Sequence, residues 1–72
     1  MTRPVAVLVT ESGTKRYADV VEMQRHFVLV EWRDGLVSIS LDDGRVRSCS
    51  VMSDKWRLSQ ASLDELRVEA QR

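Results

Sequence analysis

The stretch FVLVEWRDGLVSISLDDG, residues 27–44, decides the fold. Phe27-Val28-Leu29-Val30-Glu31-Trp32 is apolar on both alternating faces, which predicts a central strand covered on both sides. Arg33-Asp34-Gly35 then marks a turn, because glycine supplies the positive φ that tight turns need and Asp bonds to the local backbone. From Leu36 to Leu41 the pattern alternates: Val37, Ile39 and Leu41 point one way, Ser38 and Ser40 the other. Asp42-Asp43-Gly44 is the strongest short-range hairpin signal in the chain, and it predicts a returning strand over Arg45 to Met52.

Working outward, Val5-Ala6-Val7-Leu8-Val9-Thr10 is β-branched and follows Pro4, which is tolerated at a strand's start. Glu11-Ser12-Gly13 turns it back. Residues 15–26 admit two readings. As a helix, Tyr17, Val20, Val21 and Phe27 fall near one face, with Thr14 as cap. As a strand, Tyr17, Val21 and Met23 share a face that Asp19 interrupts. The β-branched Val20-Val21 pair and the turn at Gly13 favour the strand. At the other end Ser62 and Glu65 have capping-box spacing, which predicts a helix over about residues 62–71. Its stripe, Leu63, Leu66 and Ala70, must pack on the sheet or on a partner. Residues 54–61 read as a loop in which Trp56 plugs an edge of the core.

These elements make one domain over residues 1–72: mainly β (α+β), a small, strongly bent antiparallel sheet or partly open five-stranded barrel with a C-terminal helix. Tyr17-Ala18-Asp19-Val20-Val21-Glu22 followed by Val28-Leu29-Val30-Glu31-Trp32-Arg33-Asp34-Gly35 resembles the two central strands of Tudor-type and Sm-like small barrels. In those families an aromatic residue precedes a bent strand, and the next strand ends at an Asp-Gly turn. The likeness covers about a quarter of the chain. Gln24-Arg25-His26 stands where the Sm-type glycine and Asn-bearing loop belong, which argues against an Sm-like RNA pocket.

Composition narrows function further. Hydrophobic residues make up 43% and charged residues 31% of 72 positions, ordinary for a globular chain. A lone core of this size seldom yields more than about 3–5 kcal/mol, so staples or partners are expected. Cys49 is the only cysteine and His26 the only histidine, so neither an intrachain disulfide nor a zinc set of ordinary spacing is available. Self-association is the remaining expectation. The run Val5 to Val9 is too short for a signal-peptide core or a membrane span, and the free thiol suits a reducing cytoplasm. Net charge is zero, so no global pull toward nucleic acid or anionic lipid exists. All basic residues except Lys15 and Lys55 are arginine, the mark of either compositional bias or bidentate recognition.

For catalysis the chain offers neither a nucleophile elbow nor a metal-ligand motif, and no catalytic residue, metal or cofactor is expected. His26 reads as an exposed turn residue and Cys49 as a small packing residue. The binding candidates are Tyr17, Trp32 and Trp56 as an aromatic wall with Asp34 beside it; the Tudor resemblance implies methylated Lys or Arg held there by cation–π contact. Against this, two tryptophans in so small a protein serve first as core. Arg45 and Arg47 share a strand face, with Arg33 across the sheet, a set that suits phosphate; Asp34, Asp42 and Asp43 lie close enough to neutralise it. The expected function is a non-catalytic binding and assembly module working through protein–protein contact and homo-oligomerisation, as an accessory protein of a phage or other mobile element. The alternative is a nucleic-acid-binding small barrel using the Arg-bearing face.

Overall fold

The computed structural model describes residues 4–33, 35–48 and 50–72, with the side chains of residues 50, 51 and 53 left aside. The elements in chain order are β1 (Val5–Val9), β2 (Lys15–Met23), β3 (Phe27–Trp32), β4 (Gly35–Ser40), α1 (Ser50–Lys55), β5 (Arg57–Leu58) and α2 (Gln60–Ala70). The strands form one antiparallel sheet in the order β4-β3-β2-β1-β5. Residues 15–26 therefore resolve as a strand, with the chain leaving it at Gln24.

β2 bends the sheet. Its first half pairs with β1 (Val5 opposite Asp19, Val9 opposite Lys15), and its second half pairs with β3 (Val20 opposite Val30, Met23 opposite Val28). Between Val20 and Glu22 the register shifts by a bulge, which places one extra residue in β2 and increases the local twist. The bulge also corrects the expected inward face. Ala18 and Val20 are buried while Tyr17 is 69% exposed, and only after the extra residue does Met23 rejoin the core. The two edges are then linked: Ile39 bridges Val46, and Arg45 bridges Arg57. Leu58 N–H donates to the Gly44 carbonyl, extending that link. The result is a strongly bent half-barrel whose edges approach through residues 44–46.

The inward residues are Ala6 and Leu8 of β1, Ala18 and Val20 of β2, Val28, Val30 and Trp32 of β3, and Val37 and Ile39 of β4. Leu41, Val46, Leu58, Leu63 and Leu66 complete this core. β3 is an inner strand between β4 and β2 and not the central one, and only its inward face is covered, against the expectation of cover on both sides: Phe27 and Glu31 are exposed and Leu29 is half-buried. Val37, Ile39 and Leu41 are buried together, as their alternation predicts.

Three further expectations are corrected. The strand expected over Arg45 to Met52 is reduced to the bridging residues Arg45 and Val46, and the chain then enters α1. The fifth strand instead lies at Arg57–Leu58, inside the stretch read as a loop. At the turn after β3 the positive φ, 51°, belongs to Arg33 and not to Gly35, whereas Gly44 does take a φ of 76°. There a Cβ would meet Leu63 Cδ2 at 3.4 Å and Leu58 Cβ at 3.5 Å, ordinary packing distances, so it is the backbone of the turn and not the approach of α2 that calls for glycine.

The cap of α2 lies three residues earlier than the capping-box spacing predicts. Ser59 is the N-cap, its hydroxyl accepting from the Ser62 N–H at 3.2 Å. Ser62 lies inside the helix, buried, and its Oγ accepts from the Val7 N–H at 3.0 Å. The helix thereby satisfies a β1 backbone group beyond the end of β5, while the predicted Leu63 and Leu66 stripe enters the core.

Candidate functional site

Two surfaces concentrate the residues that sequence reasoning selects. The first is the end of the barrel where β1 and β3 finish. Trp32, 9% exposed, packs edge-to-face on Trp56, with ring centroids 5.2 Å apart and planes at 67°. Arg16, inward-facing and opposite Leu8, lays its guanidinium 4.7 Å from the Trp32 ring centroid. Cation–π attraction thus operates here, with the chain's own arginine as the cation. Tyr17 is the neighbour of Arg16 in β2 and faces the opposite side of the sheet, so the structure joins Trp32 and Trp56 but not Tyr17 into one aromatic cluster. Trp56 is half-buried against the core, which is the plugging role its place in the sequence predicts. Arg33 and Trp56 meet in a shallow depression with Glu11, Asp54 and Lys55. Asp34, the proposed companion of the wall, lies outside the described residues, as does Cys49.

The second surface is the outer face around residues 45–47. Val46 is buried, so Arg45 and Arg47 share the outward face as expected. Arg47 pairs with Asp43, whose other oxygen accepts from the Arg45 backbone N–H at 2.9 Å. That backbone bond, with the charges of Arg47 and Arg45, holds the Asp43 carboxyl below the usual aspartate range despite some opposing desolvation. Arg47 is thus paired within its own turn. Arg33 does not join this set; it lines the Trp56 depression and the one beside Trp32. In its place the register brings Arg57 directly opposite Arg45. Sequence reasoning missed Arg57 because its strand is two residues long and carries no alternation to find.

A third concavity was not anticipated. Between the start of β1 and α2 runs a groove of about 630 Å³ lined by Pro4, Val5, Leu66 and Val68, with Asp64, Glu65, Glu69 and Arg72 around it. Val5 is 43% and Val68 59% exposed. Its signal in the sequence is faint: Val68 stands off the Leu63/Leu66 stripe, an apolar residue on the helix's solvent side.

His26 is exposed, its Nδ1 3.7 Å from Asp42 Oδ1, in the turn position its sequence context predicts. Among the described residues no three His, Cys, Asp or Glu side chains gather to hold a metal. No helix among them is long and apolar enough to cross a membrane. No family model, curated protein or solved structure matches this chain.

Proposed function

We propose that this protein is a non-catalytic binding and assembly module that works through protein–protein contact. The observation that carries the reading is the groove between β1 and α2, whose lining exposes Val5 and Val68 to solvent. Exposed apolar residues grouped in a concavity and ringed by charge mark contact sites. Asp64, Glu65 and Glu69 outnumber Arg72 at the rim, so the segment that fits brings apolar side chains flanked by basic ones. A second copy is the partner that chain length favours, because a 72-residue domain without a disulfide gains most from burying such surface in an oligomer. An accessory role in a phage or other mobile element is the setting that suits so small a module.

Light scattering at high micromolar concentration tests the reading. The expected mass is a multiple of 8.3 kDa, returning to the monomer in Val68→Asp, which adds a fourth carboxylate at an exposed position and leaves the core alone. A monomeric wild type removes self-association, and an assembly indifferent to Val68→Asp moves the contact off this groove.

A further inference from the structure

The strand register assembles a basic rung that no single strand shows. Lys15 lies opposite Val9, Val9 opposite Arg57, and Arg57 opposite Arg45. Residues directly opposite one another in a sheet share a face. Here the face is the outer one, since Leu8, Arg16, Leu58 and Val46 take the alternate, inward positions. Lys15, Arg57 and Arg45 are all exposed, and none makes an ion pair with a described residue. At about 4.8 Å per strand the backbone of the rung spans roughly 14 Å.

Two features of the rung want a ligand. Arg45 and Arg57 are like charges placed directly opposite each other, an arrangement that destabilises a sheet unless something anionic lies between them. On the next outward position of β2 stands Tyr17, 69% exposed, with the half-buried Val7 opposite it. An unburied aromatic beside a cationic track provides the two contacts single-stranded nucleic acids use: phosphates on the cations, a base on the ring. Glu11 and Asp54 line the depression that Arg45 and Arg57 share, on the side of Trp56 and away from Tyr17. Asp19 and Glu31 share the depression beside Tyr17 with Arg16 and Arg33, so the positive charge is local to the rung at Lys15, Arg57 and Arg45, with Tyr17 at its edge, though the whole chain is neutral.

We infer that the outer face of β1, β2 and β5 binds single-stranded nucleic acid, with Arg45, Arg57 and Lys15 on phosphates and Tyr17 stacked on a base. This goes beyond the protein-contact reading and rests on different residues, so either survives the failure of the other.

Fluorescence anisotropy with a labelled 20-nucleotide single strand, as DNA and as RNA, tests it. Expected is binding whose log affinity falls with log salt at a slope near 2, from about 0.7 per neutralised phosphate and three cations. The triple variant Lys15→Gln/Arg45→Gln/Arg57→Gln should abolish that binding while melting no lower than wild type, because it removes a like-charge pair. Tyr17→Ala should weaken single-strand affinity at least about five-fold and leave the salt slope unchanged. Absence of binding at low salt overturns the proposal, as does binding that survives the triple variant. A triple variant that lowers the mass in light scattering while the wild type ignores both oligonucleotides also overturns it, and assigns the rung to a second copy.

Discussion

The two ends of this half-barrel are closed by different physics. At the end where β1 begins, α2 is fastened by directional bonds between distant segments. Val7 N–H donates to Ser62 Oγ at 3.0 Å, and Ser59 N–H to the Val7 carbonyl at 2.9 Å. Arg67 Nε reaches the Leu41 carbonyl, and its terminal nitrogen the Asp42 carbonyl, each at 2.6 Å. At the end where β1 finishes, Trp32, Trp56 and Arg16 are stacked by ring packing and a cation over a π face. Directional bonds fix one geometry and leave a polar group orphaned when broken, whereas ring contacts loosen gradually. The helix end should thus respond to mutation sharply and the tryptophan end mildly.

Removing residues from Gln60 onward is the severest way to break that contrast. Leu63 and Leu66 leave the core, each contributing about 1.5–3 kcal/mol by burial. Their sum is comparable to the whole stability expected for a domain of this size, roughly 3–5 kcal/mol. The truncated chain should have no cooperative thermal transition by circular dichroism. A transition at the wild-type temperature would reduce α2 to a tail.

Next comes a pair of serines a turn apart. Ser62→Ala strands the part-buried Val7 N–H, and an unpaired donor costs about 1–3 kcal/mol when fully buried, so about 1–2 kcal/mol is expected here. Ser59→Ala removes only the helix cap, about 0.5–2 kcal/mol. Denaturant melts should rank Ser62→Ala as the more damaging; the reverse order would mean that the helix is held by its cap and not by its bond to β1.

How much of this was legible in the sequence follows the same division. Periodicity announces an element whose partners lie along one face, so the Leu63/Leu66 stripe, the alternation of Val37, Ile39 and Leu41, and the run Phe27 to Trp32 were all readable. It cannot announce a register shift: the bulge near Val21 inverted the inward face of β2, which is why Tyr17 groups with the tryptophans in the sequence pattern and lies outside in the fold. Ser62 and Glu65 satisfy the capping spacing, yet Ser59 is the cap and Ser62 bonds to Val7 instead, a long-range partner that local spacing does not encode. Of the candidate binding residues, Arg45 and Arg47 are legible on one face from local alternation about Val46, whereas Arg57 and Lys15 enter only through cross-strand pairing that no local pattern encodes.

The tryptophan end gives a smaller expected effect. Arg16→Gln keeps a polar side chain of similar length and removes the cation over Trp32, a loss of about 0.5–1 kcal/mol at an exposed site. Tryptophan fluorescence should shift while the cooperative melt persists. A loss matching that of Ser62→Ala would show that this end is as tightly specified as the helix end, and the contrast would fall.

The smallest effect concerns Asp43, in the turn that both α2 and the barrel edge touch. Its carboxylate accepts from the Arg45 backbone N–H and pairs with Arg47, and these contacts depress its folded pKa below the unfolded value. A depressed carboxyl contributes stability above its unfolded pKa and loses it as pH falls through the folded one. Asp43→Asn keeps an oxygen that can accept from Arg45 but discards the charge, so it should destabilise the protein near pH 7 by less than about 1 kcal/mol, as exposed pairs do. As the pH falls through the folded pKa the wild-type carboxyl itself becomes neutral, and the two melting curves should converge. Arg47→Ala should move the Asp43 titration, followed by carboxyl NMR, only part of the way back toward the ordinary range, because the backbone bond to Arg45 is the larger cause and remains. Complete return to that range would mean that the ion pair, and not the backbone bond, holds the carboxylate charged. Arg47 would then be committed to Asp43, with none of its charge left to extend the neighbouring rung.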